Sequence, residues 1–199
     1  MGVRVAFSRE ANNKMKRLLV VVDYQNDFVD GALGFEGAEL LDKLIAEKIS
    51  EYRAAGDVIA FTYDTHHRDY LDTQEGRNLP VPHCIEGTEG HKLYGEVAMV
   101  ARDADEAFYK PTFGSSELFL RLDKAQKIAA SLGREPFESI ELVGLVSNMC
   151  VLSNAVIART ACPNVPIIVD AACTASPDPD MNEKALDIME GLQISVINR

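Results

Sequence analysis

The chain has 199 residues, of which 31 are Asp or Glu and 20 are Lys or Arg, so its formal net charge is −11. Its hydrophobic fraction of 47% is enough for a buried core, which argues against intrinsic disorder, and the length favours a single domain. The overall field of so acidic a chain disfavours binding to nucleic acid or to an anionic membrane, although a local basic pocket stays open. We therefore expect a globular protein that binds neither.

The first residues carry no targeting signal. Residues 1–15 are polar and lack the apolar core of a secretory signal, so we expect an N-terminal extension before a single domain over residues 16–199. No stretch reaches the roughly 18 apolar residues that a membrane-spanning helix needs. The four cysteines, at positions 84, 150, 162 and 173, show no close spacing, which predicts reduced thiols and a cytoplasmic location.

Short apolar runs alternate with amphipathic segments along the chain. The runs of strand length cover residues 17–23, 58–63, 107–109, 139–146, 165–169 and 194–197. Helices are predicted over residues 38–55, 116–132, 150–161 and 182–191. Residues 64–90 are polar and rich in turn formers, which is typical of a long functional loop. The alternation predicts an α/β fold, with a parallel sheet covered by helices on both faces.

Three side chains of complementary chemistry follow predicted strands. Asp23, Lys110 and Cys150 each stand at the carboxyl end of a different strand, where ligands bind in an open parallel sheet. A carboxylate can take the proton of a thiol, and an ammonium favours both anions, so the set predicts a nucleophilic site. Taken singly, each has a simpler interpretation: a turn cap for Asp23, a solvated charge for Lys110 and a small buried residue for Cys150.

The long polar loop carries a candidate metal site. Asp64 and His66 stand at alternate positions, so an extended backbone points both side chains to the same face. His83 follows two prolines. One carboxylate and two imidazoles suit Zn²⁺, Fe²⁺ or Mn²⁺. His67 and Cys84 are weaker candidates, and a histidine-bearing surface loop without metal is the alternative interpretation.

Together these segments resemble the isochorismatase-like cysteine hydrolases and, among them, the nicotinamidases. The likeness is carried by Asp23 within VVDYQNDF, Asp64-x-His66, His83 within PHCIEGTEG, Lys110, and Cys150 within VGLVSNMCV. The resemblance implies a Rossmann-like sheet of six parallel strands in the order 3-2-1-4-5-6, which is a known order for doubly wound sheets.

The resemblance also implies roles for individual residues. Asp23 matches the base, Lys110 the electrostatic partner and Cys150 the nucleophile, which passes through a thioester. The backbone N–H groups of Val146 and Cys150 match the oxyanion hole, and the Leu145–Val146 peptide bond matches one that is cis in relatives.

A metal and a substrate class follow from the same likeness. Asp64, His66 and His83 match the ligands of a divalent metal, often zinc, with manganese or iron as alternatives, and that metal binds the pyridine nitrogen of nicotinamide. Phe28 and Leu145 match positions that contact the substrate. The implied reaction is hydrolysis of nicotinamide to nicotinate and ammonia, by a protein that forms dimers or tetramers.

One departure keeps the substrate open. Most relatives carry an aromatic residue just before the Pro-His-Cys segment, whereas this chain has Leu79, Pro80 and Val81 there and contains no tryptophan. The alternatives are therefore a hydrolase of another small amide or ureido compound, or, less favoured by the metal loop, of the vinyl ether isochorismate. From another class, a binding protein that has kept the fold without turnover is also an alternative.

Overall fold

A computed structural model describes residues 15–199, so the extension predicted for residues 1–15 lies outside the described residues except for Met15. Six strands alternate with helices in the described chain, as the apolar runs predict. The strands are β1 Leu18–Val22, β2 Val58–Asp64, β3 Glu106–Lys110, β4 Ile140–Leu145, β5 Ile167–Ala175 and β6 Ser195–Ile197. The helices are α1 Asn26–Val29, α2 Leu41–Ala54, α3 Gln74–Asn78, α4 Gly95–Val100, α5 Ser116–Ser131, α6 Leu152–Ala161 and α7 Pro179–Gly191.

The strands form one parallel sheet in the order β3-β2-β1-β4-β5-β6, which confirms the predicted fold. The central strand β1 is buried along its whole length, because Leu18, Val20 and Val22 pack into one core and its other two residues into a second. The first core lies under α5, α6 and α7, and the second under α2 and α4. Helices thus cover both faces, and the carboxyl ends of the strands meet at one edge.

Several boundaries differ from the sequence prediction. Strand β5 extends to Ala175, beyond the predicted end at 169, and α7 begins at Pro179 instead of Asn182. Proline suits the first turn of a helix, and the Asp178 side chain accepts a hydrogen bond from the Met181 N–H, so this segment begins the helix.

Residues 64–90, interpreted as an irregular loop, contain regular structure. A short 3₁₀ helix over Tyr70–Asp72 is followed by α3, and α4 also went unpredicted. These helices are of three to six residues, too short to show a 3.6-residue apolar period. Across residues 15–199, every helix is too short or too polar to cross a bilayer, and the four cysteines are all unpaired and buried.

Candidate active site

The carboxyl ends of four neighbouring strands supply the candidate site. Asp23 directly follows β1, Asp64 ends β2 and Lys110 ends β3, while Cys150 lies five residues beyond the end of β4. Asp64 and Lys110 are register partners across the β2–β3 pair, so the sheet itself sets them side by side. All four side chains are at least 95% buried.

Lys110 is the common neighbour of the other three groups. Its Nζ lies 2.6 Å from Asp23 Oδ2, 3.2 Å from Asp64 Oδ1 and 3.5 Å from Cys150 Sγ. It also donates a hydrogen bond of 2.9 Å to the carbonyl of Thr112. A buried ammonium needs such partners, because an unpaired charge in the interior is strongly unfavourable. The structure therefore brings together the three residues predicted for the nucleophilic set.

Asp23 is held from two directions. The Thr62 hydroxyl on β2 donates to Asp23 Oδ1 at 2.6 Å, which leaves Oδ2 to face Lys110. The Asp23 backbone has φ of +46°, in the left-handed region that aspartate tolerates better than most residues, and this turns the chain out of β1. Thr62 was not predicted as a site residue, because it stands within an apolar strand and carries no sequence signal of its own.

The environment keeps the Cys150 thiol protonated at rest. Burial raises the pKa of Cys150 well above its usual value, Lys110 opposes this shift, and Asp23 and Asp64 add to it. Burial also raises the pKa of Asp23, against the lowering effect of Lys110. A neutral thiol beside a carboxylate of raised pKa favours attack assisted by a general base over attack by a preformed thiolate.

The sequence predicts that Cys150 begins a helix, but in the structure α6 begins two residues later, at Leu152. Cys150 lies in a π-helical turn, Ser147–Val151, that precedes α6, and Val146 stands at the start of this turn. The peptide bond between Leu145 and Val146 is cis, as the resemblance implies. Leu145 is fully buried, and Phe28 packs edge-on against the ring of His83 with centroids 5.6 Å apart.

A buried amide side chain joins the Cys150 turn to the loop that follows β3. Asn154 of α6 donates to the carbonyl of Cys150 at 2.8 Å and to the carbonyl of Phe113 at 3.1 Å. Its Oδ1 accepts from the N–H of Ser115 at 3.0 Å. Asn154 thereby holds the loop after Lys110 against the Cys150 turn. The sequence does not predict this role, because a single asparagine in an apolar helix carries no distinguishing pattern.

Beside this set lies a cluster of four potential metal ligands. Asp64, His66 and His83 are joined by Glu75, and one ligand atom from each lies within 4.8 Å of all the others. His66 Nε2 is 2.9 Å and His83 Nε2 is 3.2 Å from Asp64 Oδ2, and Glu75 Oε1 is 3.6 Å and 3.8 Å from the same two nitrogens. The three residues predicted as ligands thus come together.

Glu75 is the member that sequence reasoning missed. It lies nine positions after His66, on α3, in a polar stretch that also contains Glu86 and Glu89, and nothing in the spacing distinguishes it. The weaker candidates are not part of this cluster in the described chain: the His67 side chain is 69% exposed, and the backbone N–H of buried Cys84 donates to Asp27.

The donor set fits a divalent cation. His83 Nδ1 lies 2.8 Å from the carbonyl of Val81 and donates to it when it carries the proton, an arrangement that turns Nε2 towards the cluster. Glu75 Oε2 is buried without a hydrogen-bond partner. Two imidazoles and two carboxylates suit zinc, manganese or iron. The opposite oxygens of Asp64 face Lys110 and the two histidines, so one carboxylate joins the two halves of the site.

Comparison with known proteins identifies the family of the chain. The family model described as the isochorismatase domain matches residues 17–198. An isochorismatase family protein of Bacillus subtilis strain 168, PncA, described as uncharacterized, is 30% identical over 153 residues, which cover 71% of this chain and 78% of that protein. A nicotinamidase/pyrazinamidase of Mycobacterium tuberculosis is 26% identical over 187 residues, covering 91% and 98%. The crystal structure of a nicotinamidase/pyrazinamidase PncA from Bacillus subtilis superposes with a TM-score of 0.77 at 28% identity, covering 92% of this chain and 99% of that one. The chain belongs to the isochorismatase family of hydrolases.

Proposed function

We propose that the protein is a metal-dependent cysteine amidohydrolase that converts nicotinamide and water to nicotinate and ammonia through a thioester on Cys150. The observation that carries the proposal is the shared position of Asp64, whose two oxygens face Lys110 and the two histidines at 2.9–3.2 Å. Lys110 faces both Asp64 and the Cys150 sulfur, so we infer that the nucleophile and the metal cluster act on opposite ends of one small substrate.

The relatives support the same activity. Two similar proteins, described above, are named nicotinamidase/pyrazinamidase, and a third curated relative, from Acinetobacter baylyi, is a nicotinamidase 26% identical over 194 residues. At this level of identity, the relatives support the family and an amide substrate, and they leave the particular amide to experiment.

The proposed reaction has two halves. Asp23 takes the thiol proton, the Cys150 sulfur attacks the carboxamide carbon, and the N–H groups of Val146 and Cys150 stabilise the oxyanion. Asp23 then gives its proton to the departing nitrogen, so ammonia leaves and a thioester remains. Water, deprotonated by Asp23, attacks the thioester carbon and releases nicotinate and the thiol. Lys110 stabilises the anions that Asp23 and Cys150 become in turn.

Asp64, His66, Glu75 and His83 would hold the divalent metal. When bound, the metal would supply Lewis acidity for the pyridine nitrogen of the substrate. Phe28, whose ring lies against His83, and Leu145 are proposed to contact the substrate.

A second candidate is hydrolysis of another small amide or a ureido compound by the same nucleophile. It is favoured by the residues before His83, because Leu79, Pro80 and Val81 offer no aromatic ring to stack on a pyridine. Phe28 meets the His83 ring edge-on, with an interplanar angle of 62°. A substrate without an aromatic ring would need no stacking partner.

The test measures ammonia release from nicotinamide by protein loaded with zinc, manganese or iron. We expect turnover by the wild type, none by Cys150→Ala, and unchanged turnover by Cys162→Ala, which removes a fully buried thiol just after the C-terminal end of α6. Release from a ureido or non-aromatic amide but not from nicotinamide would establish the second candidate. No release from any amide in the panel would contradict both and leave a binding protein.

The remaining expectations stay predictions. Residues 16–199 as one catalytic domain agree with the extent of the family match, at residues 17–198. A cytoplasmic location and a homo-oligomeric state follow from the cysteine usage and from the resemblance, respectively.

A further inference from the structure

Glu75 stands on an exposed excursion of the chain. Residues 70–79, here called the Glu75 arm, leave the sheet edge after His66 and return before His83. Within the arm only Tyr70 and Gly76 are buried, while Leu71 is 50% and Leu79 is 36% exposed. A segment with so few buried contacts is not held in place by the core. The position of the Glu75 carboxylate therefore depends on the internal bonds of the arm.

Those bonds converge on Tyr70 and Leu79. The Tyr70 hydroxyl donates to the carbonyl of Leu79 at 2.9 Å, which ties the two ends of the arm together. The N–H of Leu79 donates to the carbonyl of Glu75 at 2.8 Å. The hydroxyl of Tyr70 thus holds, through one residue, the backbone that carries the carboxylate.

The turn that begins α3 is anchored on the same tyrosine. The Thr73 hydroxyl donates to the carbonyl of Tyr70 at 2.7 Å and accepts from the N–H of Gly76 at 3.0 Å. Gly76 lies so close that an added Cβ would be 2.0 Å from the oxygen of Tyr70. The helix bearing Glu75 is therefore packed directly on the backbone of Tyr70.

The ring of Tyr70 completes the connection to the metal cluster. It is 1% exposed, and its centroid lies 4.6 Å from that of His66 and 5.0 Å from that of His83. A phenylalanine would make the same ring contacts. The ring packing therefore does not account for the hydroxyl, whose contribution is its hydrogen bond to Leu79.

We propose that Tyr70 is a positioning residue for the metal site: its hydroxyl, bonded to Leu79, closes the Glu75 arm and holds Glu75 as the fourth ligand. The proposal rests on the proposed function only in taking Asp64, His66, Glu75 and His83 as the metal ligands. It requires no particular substrate, so binding of the metal alone tests it.

The experiment is a double-mutant cycle on Co²⁺ affinity, measured by competition with a chromophoric chelator in the full-length protein. Tyr70→Phe should weaken Co²⁺ binding about tenfold, as is common for residues that orient ligands. In a Glu75→Gln background the same change should cost less than about twofold, because the ligand it positions is already altered. The visible spectrum of bound Co²⁺ should shift in the same direction in Tyr70→Phe and in Glu75→Gln.

Tyr24→Phe is the matched control, because the Tyr24 hydroxyl also donates from a buried ring to a backbone carbonyl, that of Ala38, at 2.8 Å. It should leave Co²⁺ affinity and spectrum unchanged. Thr73→Val provides a second perturbation of the arm on an exposed residue and should also weaken binding. Thermal melting of each variant reports that it is folded.

Unchanged affinity in Tyr70→Phe, or an equal loss in the presence and absence of Glu75, would overturn the proposal. A wild-type protein that binds Co²⁺ but hydrolyses no amide would refute the proposed function and leave this inference standing. A wild-type protein that binds no divalent metal would refute both the metal site and the role of Tyr70.

Discussion

Replacing Lys110 by methionine separates the electrostatics of the site from its packing. The Lys110 ammonium is 1% exposed and lies 2.6 Å from Asp23 and 3.2 Å from Asp64. Methionine fills a similar volume but removes the cation that faces both carboxylates, and Asp23 then keeps the Thr62 hydroxyl as its hydrogen-bond donor while Asp64 still faces two histidines. Breaking a buried ion pair in this way costs about 3–5 kcal/mol, because the remaining charge stays desolvated. We expect a loss of that size at pH 7 in metal-free protein.

The loss should depend on pH with a definite sign. Burial already raises the pKa of Asp23, and Lys110 opposes that rise, so removing Lys110 raises this pKa further. As the pH falls, the native variant therefore takes up a proton at a higher pH than the unfolded chain does, whose Asp pKa is about 3.9. The variant therefore gains stability as the pH falls, and its deficit relative to wild type narrows.

Urea unfolding of chelator-treated wild type and variant at pH 7 and at a lower pH measures both quantities. Lys124→Met, an exposed lysine on α5 outside the ion pairs of the described chain, is the control and should change the free energy of unfolding by less than about 0.5 kcal/mol. A Lys110→Met deficit below about 1 kcal/mol at pH 7, or one that grows on acidification, would refute the reasoning.

Two further substitutions test the scaffold. Lys48→Met should lower the free energy of unfolding in urea by about 3–5 kcal/mol. The buried carboxylates of Glu141 and Asp170 lie 2.5 Å and 2.7 Å from the Lys48 ammonium, and both lose this shared cation. Gly144→Ala should abolish soluble folded protein, as judged by yield and circular dichroism. The added Cβ would lie 2.0 Å from the Val22 carbonyl oxygen, at a φ of +108° that only glycine adopts readily.

Each of these has a matched control. Lys43→Met changes a lysine of the same helix that is 72% exposed and should shift stability by less than about 0.5 kcal/mol. Gly191→Ala adds a Cβ that meets nothing within 4 Å and should be tolerated. A Lys48→Met variant as stable as Lys43→Met, or a folded Gly144→Ala, would contradict the corresponding argument.

The sheet was predictable because its strands are buried on both faces. Runs such as Leu18–Val22 must then be apolar at every position, which distinguishes them from amphipathic helices. The second half of β5 was not predicted, because Asp170 and Thr174 interrupt its apolar run. Asp170 sits there because Lys48 reaches it from α2, a contact that residue order does not show.

The same contrast holds for the candidate site. Asp23, Lys110 and Cys150 could be predicted to meet, since each follows a strand and parallel strands end at one edge. Glu75 and Thr62 could not, because neither stands at a strand end and their partners lie elsewhere in the chain. Their inclusion depends on side-chain directions that only the folded structure defines, and the catalytic role of the whole set stays a prediction.

The formal charges around Asp64 affect substrate binding and product release. Asp23, Asp64 and Glu75 carry three negative charges when ionised, against one positive charge on Lys110, so a divalent cation would bring the pocket to neutrality. An uncharged amide can enter such a pocket without the free-energy cost of desolvating an ion. The acid product of the proposed hydrolysis carries a negative charge, for which such a pocket offers no unbalanced cation. The pocket would thus retain its substrate better than its product, which favours release after each turnover.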